Sequence, residues 1–513
     1  MRLSSKHPNQ QVFTLSDFTG GLNTDTTEEQ IADNQLAESV NFEVQSTTGL
    51  LKTVNGTRKL YRLPESSEYK FVAAAYDRLN GHIVLFGDNG GIFSTKNMQE
   101  VRQIGNLTGE LLPITAIWED GLLVASGGHL QYIDGFQIKT ITSSPEKCKG
   151  CYVRSGRVIV FDDENVRYSG VGDEENWTED SDDPSAAVWV EAGYKAGGKI
   201  IGMVNLSSDI LIIKDNGMLF RLSGEYPDWS ISEIAREVDC RGANSYCNVV
   251  NTTCILGEKT MRAIVTTQEY GSMRANSLGD NVRSEIRQLP KDAKMRYVPP
   301  LNQIWIIGSA GSVLMFDLNC NAFFKRLFNA NVVDVVSVNE DVYVIKENGI
   351  DILDEASFSD ETDYLSYSLQ MKTRISHYDF LVKRIAFACT GYAVSGSDTA
   401  FYIGNVVKIP LPSKLAYNEA DYVYENWGLV YGNKEYVNRG KNVNHRIVYV
   451  NRDVYVYDNW EFVYGNGDYI LDFDGYVIRD ERIRYRDKAL VMKLQGKGSK
   501  FILNGIKLDV VEV

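Results

Sequence analysis

Five histidines and seven cysteines are scattered through this chain of 513 residues, and carboxylates gather in three short runs. The histidines, His7, His82, His129, His377 and His445, stand apart, with no HxxxH or HExxH spacing that could set two imidazoles on one metal. Cys148 and Cys151 have CxxC spacing, but no second such pair completes a zinc site. Cys240, Cys247 and Cys254 recur every seven residues with no histidine nearby, and Cys320 and Cys389 stand alone. An odd, dispersed set does not make a disulfide framework, so buried free thiols are expected. The runs Asp162-Asp163-Glu164, Asp173-Glu174-Glu175 and Glu179-Asp180-Ser181-Asp182-Asp183 could hold calcium by charge, yet lack the EF-hand register and read as solvated loops. No GxSxG, Walker A or dinucleotide-binding glycine pattern is present. The sequence therefore assigns no catalytic residue, no metal and no cofactor, and the expected protein is not an enzyme.

Such residues must sit on a scaffold, and composition describes one. Tyr (29), Phe (20) and Gly (43) are abundant and Pro is sparse (11), which suits many short strands joined by tight turns. The formal net charge of −15 argues against wrapping nucleic acid with a basic surface. It leaves room for a channel through which a duplex slides without sticking. No apolar run reaches the length of a signal peptide or a spanning helix, so no membrane span is expected, and folding in a reducing cytoplasm is.

Between about residues 70 and 360 a strand pair repeats. Its first members are His82–Phe86, Leu122–Ala125, Val158–Phe161, Ile210–Ile213, Cys254–Leu256, Ile304–Ile307 and Val342–Ile345. Counted from Ile83, their starts differ by 39, 36, 52, 44, 50 and 38 residues. Partner strands follow at 91–94, 130–134, 166–169, 219–222, 261–265, 313–317 and 350–353. The links Asp88-Asn89-Gly90, Asp215-Asn216-Gly217 and Glu347-Asn348-Gly349 carry hairpin turn chemistry. Repeats of this length predict propeller blades, the first strand buried between its neighbours and the partner further out. A pair of stacked β-sandwiches is the competing architecture. The repeat from Cys254 to Leu289 fits least well.

The fold expected is all-β: a roughly seven-bladed β-propeller (66–360), plus a β-sandwich-like platform built from an N-terminal segment (1–65) and a C-terminal one (361–513). Asp33 is expected to cap a short helix over 35–40. Strands are expected over Asn41–Val44, Leu365–Thr373, Val382–Cys389 and two or three times within Lys488–Val510. A Tyr-rich insert at about 415–475 contains a duplication, Val423–Asn433 recurring as Val456–Asn466, 33 residues later. Its rings, Tyr424, Trp427, Tyr431, Tyr457, Trp460 and Tyr464, are the expected contacts with a partner, unless they form a small core of the insert itself.

The order Phe18-Thr19-Gly20-Gly21-Leu22-Asn23, Asp33-Asn34-Gln35, Asn41-Phe42, Gly49-Leu50-Leu51 and Asn55-Gly56 resembles the opening of bacteriophage tail and head-to-tail proteins. With the propeller-like middle and the Gly496-Lys497-Gly498 ending, the chain looks like the tail nozzle, or packaged-DNA stabilisation, proteins of short-tailed phages. The resemblance implies a virion protein, made in the host cytoplasm, that forms a hexameric ring with itself. It implies contacts with a tail adaptor or other tail proteins, and packaged double-stranded DNA passing through the channel without sequence-specific binding. An acidic lumen with a few basic rings would then be expected. A neck or distal-tail part of a longer-tailed phage would leave similar marks. The rival reading from another class is a carbohydrate-binding or glycoside-hydrolase propeller, which would need two carboxylates paired at the mouth.

Overall fold

The computed structural model of the chain describes residues 10–45, 48–206, 209–224, 226, 228–250, 252–266, 273–357, 359–360, 363–394, 399–404, 407–410, 446–449, 469–472 and 477–512. Almost all of its regular structure is β; one α-helix, Arg283–Gln288, occurs among the described residues. No helix there is long and apolar enough to cross a membrane. The chain divides into two compact units. One holds 57–316 and 328–353, the other 1–56, 317–327 and 354–513.

The unit of 57–316 and 328–353 is a succession of small antiparallel sheets. Five four-stranded meanders follow in chain order, spanning 71–106, 114–140, 150–191, 200–235 and 246–277. Strands Lys294–Val298, Gln303–Ile307 and Ser312–Asp317 come next. In the last sheet, Val332–Val338, Asp341–Lys346 and Gly349–Asp354 are completed on the outside by Gly56–Arg62. Every apolar strand of the sequence repeat is the second strand of its sheet, and every partner is the third.

Position in the sheet explains the composition. The second strands His82–Gly87, Gly121–Ala125, Arg157–Phe161, Asp209–Lys214 and Gln303–Ile307 are buried along their whole length, because sheets pack on both faces. Ala73, Val84 and Phe86 of the first sheet meet Leu122, Val124 and Ile133 of the second. Ile159, Val166 and Tyr168 of the third meet Ile210, Ile212 and Phe220 of the fourth. Phe71, Ile83 and Leu85 meet Val336, Ile345 and Ile350, so the last sheet packs on the first. Small four-stranded sheets packed in succession are the organisation of a β-propeller, and no pair of facing sandwich sheets occurs among the described residues of this unit. Innermost strands bulge at a recurring point, with register shifts at Phe71/Ala73, Ile200/Gly202 and Val332/Asp334. The poorly fitting fifth repeat is a sheet like the others, followed by the short helix.

The other unit contains two groups of strands. In one, Gln35–Val40 lies between Ala322–Leu327 and Ser366–Met371, and Met492–Lys497, Ala400–Ile403 and Val407–Pro410 continue outward. In the other, the 21-residue strand Arg374–Val394 pairs with both Val477–Leu490 and Ser499–Glu512. Gln10–Leu15 also pairs with Ser499–Glu512. At about 3.3 Å per residue, Arg374–Val394 extends on the order of 65 Å. Phe42, Tyr367 and Phe501 join the two groups edge to face, with centroids 5.5–6.1 Å apart.

Two expectations are corrected. Residues 35–40 are a strand, not a helix: buried Leu36 and Ser39 are three apart, as in a helix, because a bulge between Leu36 and Glu38 breaks the twofold period. Strand Gly56–Arg62, expected with the N-terminal platform segment, is the outer strand of the last propeller sheet. Ala322–Leu327 clusters with the unit of the chain ends, where it runs parallel to Gln35–Val40.

Candidate functional site

The six aromatic residues of the duplicated insert, Tyr424, Trp427, Tyr431, Tyr457, Trp460 and Tyr464, lie outside the described residues. Of the insert, Arg446–Tyr449 and Tyr469–Asp472 are described. They pair with each other, and the latter pairs with Arg374–Val394.

The acidic runs resolve into local turns. Asp162 Oδ1 accepts the backbone N–H groups of Glu164 and Asn165, both at 2.8 Å. Asp173 does the same for Glu175 at 2.9 Å, and Asp183 for Ser185 at 2.8 Å. Asp163 pairs with Lys149 and Lys199, and these contacts hold its carboxyl below the usual range. Carboxylates committed to their own loops in this way do not converge on a common point. Cys148 and Cys151 are buried free thiols, each donating to a carbonyl: Pro145 at 3.2 Å and Ile114 at 3.2 Å. Burial pushes Cys148 up to about 12 and Cys151 higher still. His82 is also buried, its Nδ1 2.8 Å from Ser94 Oγ, and desolvation lowers its pKa.

The polar residues that do converge lie on the innermost strands. Asp334, with no exposed side-chain surface, sits at the inner-strand bulge of the last sheet. Arg296 grips it with two nitrogens, Nε to Oδ1 at 2.9 Å and Nη2 to Oδ2 at 3.2 Å. The same guanidinium reaches Asn244 Oδ1 at 3.0 Å, and Ala74 N donates to Asp334 Oδ2 at 3.1 Å. Lys294 Nζ donates to the carbonyls of Val72 and of Val333, the latter at 2.8 Å. Burial lowers the Lys294 pKa, against the attraction of Asp334. One carboxylate thus ties the inner strands of three sheets to the loop that opens a fourth.

A second buried cluster closes the last sheet. Lys346 Nζ and Asp351 Oδ2 are 2.8 Å apart, and neither side chain has exposed surface. Arg62 from the outer strand also pairs with Asp351, and Thr57 Oγ1 donates to it at 3.3 Å. The strand at 56–62 is therefore held by charge as well as by its ladder. These ions have several partners each, which a buried charge needs.

The motif residues of the opening segment occupy junctions in the unit of the chain ends. Asn41 has a positive φ of 60°, and its side chain donates to Ser366 O at 2.7 Å and accepts from Leu327 N at 2.8 Å. One residue thereby joins its own stretch to two others that lie 286 and 325 positions away. Gly21, at φ 60°, lies where a Cβ would meet Ala322 Cβ at 2.6 Å and Phe323 O at 2.8 Å. Asn23 Nδ2 donates to Gln35 Oε1 at 2.9 Å, and Asp33 pairs with Lys372 and Arg374 at 3.3 and 3.1 Å. Sequence reasoning found these residues without their roles. It missed Asp334, Arg296 and Asp351: Lys346 lies near Asp351 in sequence, but Arg62 and Thr57, like the partners of Asp334, are too distant to leave a motif.

No family model matches the chain, and no curated protein does. Among solved structures, it is similar to BamB from Moraxella catarrhalis at 11% identity, covering 59% of this chain and 90% of that one, with a TM-score of 0.38. It is similar to the WD40 β-propeller domain of Doa1 at 11% identity, covering 58% and 97%, with a TM-score of 0.39. A third likeness is the extracellular domain of a putative one-component system from B. thetaiotaomicron, at 10% identity, covering 90% and 63%, with a TM-score of 0.44.

Proposed function

We propose that this chain is a structural subunit of a phage tail, a seven-bladed propeller joined to a β-sandwich-like platform, which assembles as a ring around the DNA channel. In that role it retains the packaged genome and opens for ejection. The observation that carries the reading is the platform's construction. Segments 10–56, 317–327 and 354–512 make one unit, and the residues that stitch them, Gly21, Asn41 and Asp33, belong to the motif that resembles the opening of tail proteins. A lone binding or catalytic propeller has no need of such a composite unit. A strand as long as Arg374–Val394, paired along both sides, builds a sheet whose extent suits the surface that copies in a closed ring share. The seven-bladed reading counts the strands of 294–317 as one blade, beside the six four-stranded sheets.

Assembly is the test. Native mass spectrometry and negative-stain imaging of the purified chain, alone and with a tail adaptor, should give six-fold rings with an open centre. A chain that stays monomeric under both conditions overturns the reading. So does a ring whose lumen is lined continuously by Lys and Arg, since such a lining would hold phosphate rather than pass it.

A further inference from the structure

A cleft between the third and fourth propeller sheets combines aromatic rings with guanidinium groups. A cavity of about 150 Å³ lies there, lined among others by Arg154, Arg157, Tyr168, Tyr226 and Trp229. Trp229 is half-buried and central to the wall: its ring centroid is 5.0 Å from Tyr168 and 5.2 Å from Tyr226. Arg157 is fixed by three carbonyls, Nη1 donating to Ser169 O and Ala186 O, both at 2.7 Å, and Nη2 to Pro184 O at 2.6 Å. Those carbonyls orient the guanidinium, the Asp183 carboxylate attracts it without a direct hydrogen bond among these contacts, and burial lowers its pKa. Of its five N–H groups, Nε–H and one on Nη2 are not used by these carbonyls. Arg154, on the hairpin that joins the first two strands of the third sheet, brings a second guanidinium to the same lining, and Ser155 adds a hydroxyl at the rim.

Each feature constrains the ligand. A guanidinium oriented by neutral carbonyls favours a carboxylate, which it can take with paired N–H donors. The aromatic wall favours a flat apolar face. The cavity is below the size of ordinary drug-like ligands and suits one six-membered ring. The hydroxyl at the rim suits a polyol rather than a plain aromatic acid. We propose that this cleft binds a uronic acid unit of an acidic polysaccharide, its C–H face on Trp229 and its carboxylate on Arg154 and Arg157. The proposal is independent of ring assembly, since every residue in it belongs to one copy of the chain.

The purified full-length chain would be titrated with methyl β-D-glucuronide, methyl β-D-glucoside and benzoate, followed by saturation-transfer NMR. Saturable binding of the glucuronide is expected, about tenfold tighter than of the glucoside, because the charge-assisted contacts are lost with the carboxylate. Benzoate should bind more weakly than the glucuronide. Arg154→Gln should remove the preference for the glucuronide, and Trp229→Ala should weaken both sugars, while far-UV circular dichroism stays that of the parent. Absence of saturable glucuronide binding overturns the proposal. Tighter binding of benzoate than of the glucuronide does so too, as does equal glucuronide binding by parent and Arg154→Gln.

Discussion

Lys346 and Asp351 are both wholly withdrawn from solvent, and this sets what a single substitution there should do. Asp351→Ala leaves the ammonium of Lys346 and the guanidinium of Arg62 beside an apolar site, and a broken buried pair of this kind costs about 3–5 kcal/mol. Asp334→Ala should cost a similar amount through Lys294 and Arg296. Urea unfolding of the two variants, followed by tryptophan fluorescence, measures both losses. The thiols give a pH dependence with a definite sign. Cys148, Cys240, Cys254 and Cys320 are each pushed up to about 12 by burial, above the value of about 9 for an unperturbed thiol. Above pH 9 the unfolded chain gives up these protons while the folded chain keeps them. Their contribution is therefore complete below about pH 9 and is lost as pH rises toward 12, by up to about 1.4 kcal/mol per pH unit for each group. The urea midpoint should fall between pH 9 and pH 10.5, and replacing these four cysteines with alanine should flatten that fall.

At the scale of elements, the outer strand Gly56–Arg62 is joined to the last sheet by sequence distance as well as by hydrogen bonds, since its neighbours lie near residue 350. Gly349 is the point of closest approach: a Cβ there would collide with the carbonyl oxygen of Tyr61. Gly349→Ala should push the outer strand away and destabilise the chain by about 1–3 kcal/mol, the range for overpacking. Hydrogen exchange should show the loss concentrated in 56–62 and 349–354. The corresponding substitution at Gly90, where a Cβ meets nothing, tests turn strain alone, because its φ is 78°. Second strands were legible in the sequence because packing on both faces demands an unbroken apolar run, as in Val158–Phe161. First and fourth strands were not, because one face or edge meets solvent and the composition is mixed, as in Arg102–Asn106.

For the molecule as a whole, the proposed ring makes the Tyr-rich insert a contact rather than a support. Replacing Tyr424, Trp427, Tyr431, Tyr457, Trp460 and Tyr464 with serine should leave the urea midpoint of the propeller within about 0.5 kcal/mol of the parent, as for surface changes. The same variant should lose association with its tail partners, read by pull-down against the adaptor. A variant that unfolds instead would assign these rings to a core. Net charge of −15 bears on the same scale: like-charged copies repel, so ring formation should strengthen between about 20 and 200 mM salt as the Debye length shortens. Sedimentation velocity at the two concentrations measures this.

What the sequence determined by itself is local in origin: the all-β class, the repeat of buried strands, the Asn-Gly turns and the absence of a linear catalytic motif. These follow from side-chain alternation, burial and backbone conformation over a few residues. The tertiary structure decided the rest. It converted the helix-like spacing of Leu36 and Ser39 into a bulged strand, and moved 56–62 to the last sheet. It also gave Asn41 partners at Leu327 and Ser366, and Asp334 partners at Ala74 and Arg296. Partners so far apart along the chain leave no periodicity to read, because their spacing is set by the route of the intervening sheets and not by any repeat of the backbone.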